Sequence, residues 1–261
     1  MIKGVDISSY QGLVDFHSLK DNLDFVIIRS TYGNGYKDAF FERNRDGARA
    51  VGLATGFYHF AYPQYNAPEA EASWFTRTVS CKPGEILILD FEEPYGNPVD
   101  WCKRFLDVVS SNMGFKPLVY LNLSIINAHD WSPVINAGYG LWLAHYDGNP
   151  NQVDNTPWPV VAMKQFSDNG NIAGLTPVDM DSFYGDVATF KKYGSPAPNP
   201  VPDPEIPSSS VSLSTSPSAS GSPSNPPSTI SISPSEPPSP VPTKPSWITR
   251  FIQWLKALLH L

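Results

Sequence analysis

Residues 85–91 read Glu-Ile-Leu-Ile-Leu-Asp-Phe, and the next residue is Glu92. Between its charged ends the run is apolar at every position, odd and even. A strand with one wet face alternates apolar and polar residues. One apolar on both sides is buried on both faces, as in a parallel sheet covered by helices. The same pattern recurs outward from this run. Residues 24–29 read DFVIIR, 55–61 read TGFYHFA, and Ile2–Ile7 and 118–121 are similar. Between these runs the spacing turns helical. Residues 38–51 form a helical stretch closed by Gly52. Asn66 with Glu69 predicts a capping box for a helix through Val79, and Pro83-Gly84 predicts a turn. Asn97 caps a further helix with Pro98 at its first position. Cys102, Phe105, Leu106 and Val109 give that helix an apolar stripe, and Gly114 stops it. The last third holds three more strand-like runs, at 141–144, 160–166 and 178–183, with few helices. About eight buried strands in one α/β domain predict a closed barrel, irregular in its last third.

Function in such barrels sits at the C-terminal ends of the strands. Chemically useful residues collect there: Asp6, Arg29, Tyr58, His59, Tyr62, Asp90, Glu92, Tyr120 and Gln165, with Trp142, Asp179 and Asp181 inside the late strands. Each alone reads equally as a helix cap, an ion-pair partner or core. Their convergence on one rim is the stronger signal. His59 reads as a buried hydrogen-bonding histidine. No HxxxH or Cys/His grouping predicts a metal site, and no cofactor is expected. Cys81 and Cys102 read as reduced, partly buried thiols.

Asp90 and Glu92 carry the chemistry. Residues i and i+2 of a strand point to one side, and Phe91 to the other. Two carboxylates on one face of an apolar strand repel each other, which favours a proton on one of them. Glycoside cleavage needs such an acid to protonate the leaving oxygen. A pair of helix caps is the competing reading of this triplet.

GVDISSYQG at 4–12, FVIIRSTYGNGYKD at 25–38, GFYHFAYP at 56–63, ILDFE at 88–92, LWLAHY at 141–146, KQFSDNGNIAGL at 164–175 and VDMDSF at 178–183 occur in this order. Together they resemble glycoside hydrolase family 25, the Chalaropsis-type lysozymes common among phage endolysins and bacterial autolysins. The resemblance covers about residues 1–190. It implies a flattened, irregular (β/α) TIM-like barrel and β-1,4-N-acetylmuramidase activity on peptidoglycan glycan strands. It implies that Glu92 is the general acid/base and Asp90 the second carboxylate, with Asp6 and Asp179 as further catalytic aspartates. Asp181 stands where many relatives carry asparagine. Arg29, Tyr32, Tyr58, Tyr62, Tyr120, Trp142, Gln165 and Asp181 are the expected substrate-binding residues. Three readings of the whole chain remain open. They are a muramidase endolysin, an autolysin or other β-1,4-N-acetylhexosamine glycosidase, and a non-catalytic glycan-binding module on the same fold.

Composition divides the chain. Sixteen of its 27 prolines and seventeen serines fall in residues 195–246. Such a stretch cannot bury a core and is expected to be a disordered tether. It separates a catalytic domain, residues 1–194, from a tail, 247–261. In that tail Trp247, Ile248, Phe251, Ile252, Trp254, Leu255, Leu258, Leu259 and Leu261 fill one side of a helical wheel. Arg250 and Lys256 lie on the other. This predicts a short amphipathic helix for membrane contact or self-association, too short to span a bilayer comfortably. The formal charge of −7 argues against nucleic acid as partner. Met1-Ile2-Lys3 runs into Gly4-Val5-Asp6 with no apolar segment. The expectation is synthesis in a host cytoplasm without a signal peptide, and action on the cell wall after release.

Overall fold

A computed structural model describes residues 1–196. The expectations for the tether and for the tail, with its membrane or self-association contact, lie outside the described residues. Among the described residues no helix is long and apolar enough to cross a membrane.

The strands are β1 (Ile2–Ile7), β2 (Phe25–Tyr32), β3 (Tyr36–Lys37), β4 (Ala54–Phe60), β5 (Ile86–Asp90), β6 (Leu118–Asn122), β7 (Gly140–Ala144), β8 (Val161–Ile172) and β9 (Leu175–Phe183). They lie in the order β1-β9-β8-β7-β6-β5-β4-β2-β3, and β1 also pairs with β2, so the sheet closes on itself. The small β3 is left outside the closure. Helices α1 (Phe16–Asn22), α2 (Phe41–Ala50), α3 (Pro68–Val79), α4 (Pro98–Met113), α5 (Leu123–Ala128), α6 (Ser132–Asn136) and α7 (Val187–Tyr193) complete the described fold.

Two cores explain why the strands read apolar on both parities. Phe25, Ile27, Tyr58, Ile86, Ile88, Leu118, Tyr120, Trp142, Met163 and Phe183 form the core on one face of the sheet, with Phe190 of α7. Val26, Ile28, Phe57, Leu87, Leu89, Val119, Leu121, Leu141 and Leu143 form the core on the other, with Phe75 of α3 and Phe105 of α4. The first face is the barrel interior, and it is tight. A Cβ at Gly56 would lie 2.6 Å from Ile86 and 2.7 Å from Ile27, so only glycine fits there.

The closed barrel is irregular in its last third, where β9 runs antiparallel to both β8 and β1. Two local expectations are corrected. The helix expected from residue 38 begins at Phe41, because Asp38 is taken up by an ion pair with Arg29. No capping box forms at Asn66 and Glu69. Pro68 sets the first turn, Ala67 is the cap residue and makes no side-chain cap bond, and Glu69 pairs instead with Arg104. Asn97 does cap α4, accepting from Asp100 N, and Gly114 ends it at φ 75°. Cys81 and Cys102 are free thiols, partly and fully buried.

His59 points into the layer between barrel and helices. Its ring bonds Thr31 at 2.8 Å and Glu71 of α3 at 2.7 Å, and all three side chains are buried. Glu71 also accepts from Tyr62 N, so this buried pair fixes the β4–α3 loop at the barrel mouth. Glu71→Ala leaves both groups without their acceptor. The expected loss is about 2–4 kcal/mol, read as a lowered urea midpoint at unchanged m-value.

Candidate active site

The C-terminal ends of the parallel strands gather the polar side chains. Asp6 is near the end of β1, Asp90 is the last residue of β5, and Tyr120 lies in β6 beside it in register. Glu92 falls two residues past the strand, in the loop that follows, and is half-buried. Asp90 is buried at 2% exposure. Phe91 between them turns outward onto Trp101, with ring centroids 5.7 Å apart. Asp179 reaches this rim from β9, in register with Asp6. Because β9 runs antiparallel, its first half arrives where the parallel strands end. Gln165 of β8 lies opposite Asp181.

Gln165 is fully buried and joins the group. Its Nε2 donates to Asp6 Oδ2 and, at 3.2 Å, to Asp179 Oδ2. Its Oε1 accepts from Tyr120 at 2.6 Å and from Tyr146 at 2.8 Å. Only one orientation of the amide suits these partners. Turned over, its oxygen would face two carboxylates and its NH2 two phenol donors. Burial pushes the Tyr120 phenol well above its ordinary pKa, and the charges of Tyr146, Glu92 and Asp90 add to this. Tyr120 therefore stays a donor, close to both acids. Beneath it, Trp142 crosses Tyr120 edge to face at 4.6 Å and donates its Nε1–H to Asp181 at 3.0 Å.

The remaining expected substrate residues divide. Tyr32 and Tyr62 pack together at the rim, with centroids 5.1 Å apart, and Tyr65 extends the group 4.3 Å from Tyr62. Tyr32 and Tyr62 are half-buried there and Tyr65 is exposed. Tyr58, Tyr120 and Trp142 are buried in the barrel interior. Arg29 is buried against Asp38 at 2.8 Å and reaches Ser9 at 3.2 Å, while Ser9 N donates to Asp38. It ties together the loops after β1 and β3. Burial opposes its charge, but Tyr58 and Asp38 more than offset this and raise its pKa.

Tyr146, which ends the run LWLAHY, is not among the residues expected from the sequence; its one signal there is an aromatic two residues past a strand. Nor are Lys164, Asp147 and Asp154. Among the described residues the one grouping with metal-ligand types is His145, Asp147 and Asp154, and Lys164 Nζ stands 2.8 and 3.1 Å from its two carboxylates.

The model of the family "Glycosyl hydrolases family 25" matches residues 5–175. The chain belongs to glycosyl hydrolase family 25. It is 32% identical to an autolytic lysozyme of Clostridium acetobutylicum over 193 residues, which are 70% of this chain and 56% of that protein. The alignment thus spans little more than half of that relative's length. It is 30% identical to an N,O-diacetylmuramidase of a Chalaropsis species, covering 67% of this chain and 84% of the other. Among solved structures it is similar to the catalytic domain of endolysin ply40 from a bacteriophage of Listeria monocytogenes. There the TM-score is 0.62 at 29% identity, covering 75% of this chain and 98% of that one. The chain is a glycoside hydrolase by family and by fold.

Gln165→Leu removes the donor that Asp6 and Asp179 share and the acceptor for two phenols. A fall in kcat on the order of 10²-fold is expected, measured as release of new reducing ends from cell-wall substrate.

Proposed function

We propose that this glycoside hydrolase is an N-acetylmuramidase that cleaves the β-1,4 bond between N-acetylmuramic acid and N-acetylglucosamine in peptidoglycan. The observation that carries the reading is the grouping of Asp6, Asp90, Glu92 and Asp179 at one barrel mouth, two of them tied by Gln165, in a family 25 chain. The relatives named lysozyme and diacetylmuramidase support the substrate class.

Glu92, half-buried at the mouth, protonates the glycosidic oxygen as the C1–O bond breaks. The leaving sugar takes that proton. Asp90 faces the interior and stabilises the positive charge that develops at C1. Ionised Glu92 then takes a proton from water, and the hydroxide adds at C1. Asp6 and Asp179, acceptors of the Gln165 amide, hold hydroxyls or water around the reacting ring. Tyr32 and Tyr62 offer a stacking face for a sugar outside the cleaved bond. The endolysin named among the structural relatives supports action on the wall after release from a host cytoplasm. A bacterial autolysin is the second reading, favoured by the autolytic lysozyme of Clostridium acetobutylicum.

Glu92→Gln should abolish lysis of purified walls while wall binding survives. Retained lysis removes Glu92 from the acid's role. Mass spectrometry of the wild-type products should find muramic acid at the new reducing ends. N-acetylglucosamine there would make the enzyme a glucosaminidase.

The tail sequence 247–261, with apolar and basic residues on opposite sides of a helical wheel, is proposed to contact an anionic membrane surface. Co-sedimentation with anionic liposomes should be lost on deleting it. Unchanged binding removes the membrane reading.

A further inference from the structure

Lys164 is the one fully buried lysine among the described residues. It stands on β8 next to Gln165, and alternation along a strand sends the two side chains to opposite faces. Its Nζ lies 2.8 Å from Asp147 Oδ2, 3.1 Å from Asp154 Oδ2 and 3.2 Å from the Gln152 carbonyl oxygen. Nζ donates to Asp147 and to the Gln152 carbonyl, and its charge pairs with Asp154. His145 Nδ1 lies 2.8 Å from the other oxygen of Asp154. Burial opposes ionisation of Asp147, but Lys164 and the Asn149 N–H hold its carboxyl below the usual range. All these partners belong to the loop between β7 and β8, so a buried cation binds that loop to the strand that follows it.

The same loop carries Tyr146. Its two neighbours, His145 and Asp147, are members of the Lys164 cluster, and His145 N and Gly148 N bond the backbone of β8 at Gln165 and Phe166. From there the Tyr146 phenol reaches Gln165 Oε1. Consecutive residues of one strand thus hold one loop from two faces, Lys164 by its ammonium and Gln165 by its amide. For stability alone, apolar packing would serve as well, since replacing a buried ion pair by well-packed apolar groups is often neutral or better. What the charged cluster adds is a fixed geometry.

We propose that Lys164 is a positioning residue for the hydrolysis: by holding Asp147 and Asp154 it fixes Tyr146 against Gln165, and so keeps the amide nitrogen turned toward Asp6 and Asp179. This role rests on the glycosidase reading of the site. The test is a double-mutant cycle on purified peptidoglycan, with kcat and KM measured separately for wild type, Lys164→Met, Tyr146→Phe and the double variant. Each single change should lower kcat about tenfold with KM within about twofold, and the double variant should be no slower than Tyr146→Phe alone. Losses that multiply in the double variant, or a wild-type kcat in Lys164→Met, overturn the proposal. If Lys164→Met does not fold, Asp154→Asn replaces it in the same cycle with the same expectations. A crystal structure of whichever variant folds gives a readout independent of turnover. Tyr146 should have left Gln165, and a retained contact overturns the proposal whatever the activity. A wild type that cleaves no glycan refutes the glycosidase reading instead, and the crystal structure still decides the role of Lys164.

Discussion

One buried side-chain amide organises the mouth of this barrel. Gln165 donates to Asp6 and Asp179 and accepts from Tyr120 and Tyr146, so it joins residues from β1, β9, β6 and the β7–β8 loop. An amide suits the place because it offers donors on one atom and acceptor lone pairs on the other. A carboxylate there would repel Asp6 and Asp179, and an apolar group would leave four polar partners short of a bond. The cluster of acids depends on a neutral residue that can face both ways.

The barrel makes that junction possible. Eight strands closed on themselves bring residues more than 150 positions apart, Asp6 and Gln165, into hydrogen-bond contact. The antiparallel β9 matters most. Inserted between β8 and β1, it delivers Asp179 to the same rim as the parallel strand ends, and it places Asp181 lower, where Trp142 holds it. A second layer of polar contacts keeps the loops still. Arg29 with Asp38 joins the loops after β1 and β3, His59 with Glu71 fixes the β4–α3 loop, and Lys164 with Asp147 and Asp154 fixes the β7–β8 loop. In each case a polar group from a strand, buried by the fold, anchors a neighbouring segment.

Much of this was legible in the chain. Strands apolar on both parities, such as ILILD, announce burial on two faces whatever the partner strands are. Asn97-Pro98 and Gly114 mark the two ends of α4 because capping and left-handed turns are local events. The Asp90-Phe91-Glu92 alternation was equally local, although Glu92 turned out to lie past the strand rather than in it. The capping box at Asn66 failed because a proline at the first turn overrode the side-chain signal. Arg29 and Trp142 are marked in the sequence by their position. Their buried bonds to Asp38 and Asp181 depend on partners that no spacing rule identifies.

The sequence by itself therefore determined the class of fold, the position of the paired acids and the break in composition near residue 195. These follow from periodicity, from local hydrogen bonding and from amino-acid content, each readable over a few residues. Only the tertiary structure decided the antiparallel course of β9, the amide junction at Gln165, the contact of Tyr146 with it, and the pairing of buried Lys164 with Asp147 and Asp154. Those depend on contacts between segments distant along the chain, and their energies come from burial, which exists only once the barrel has closed.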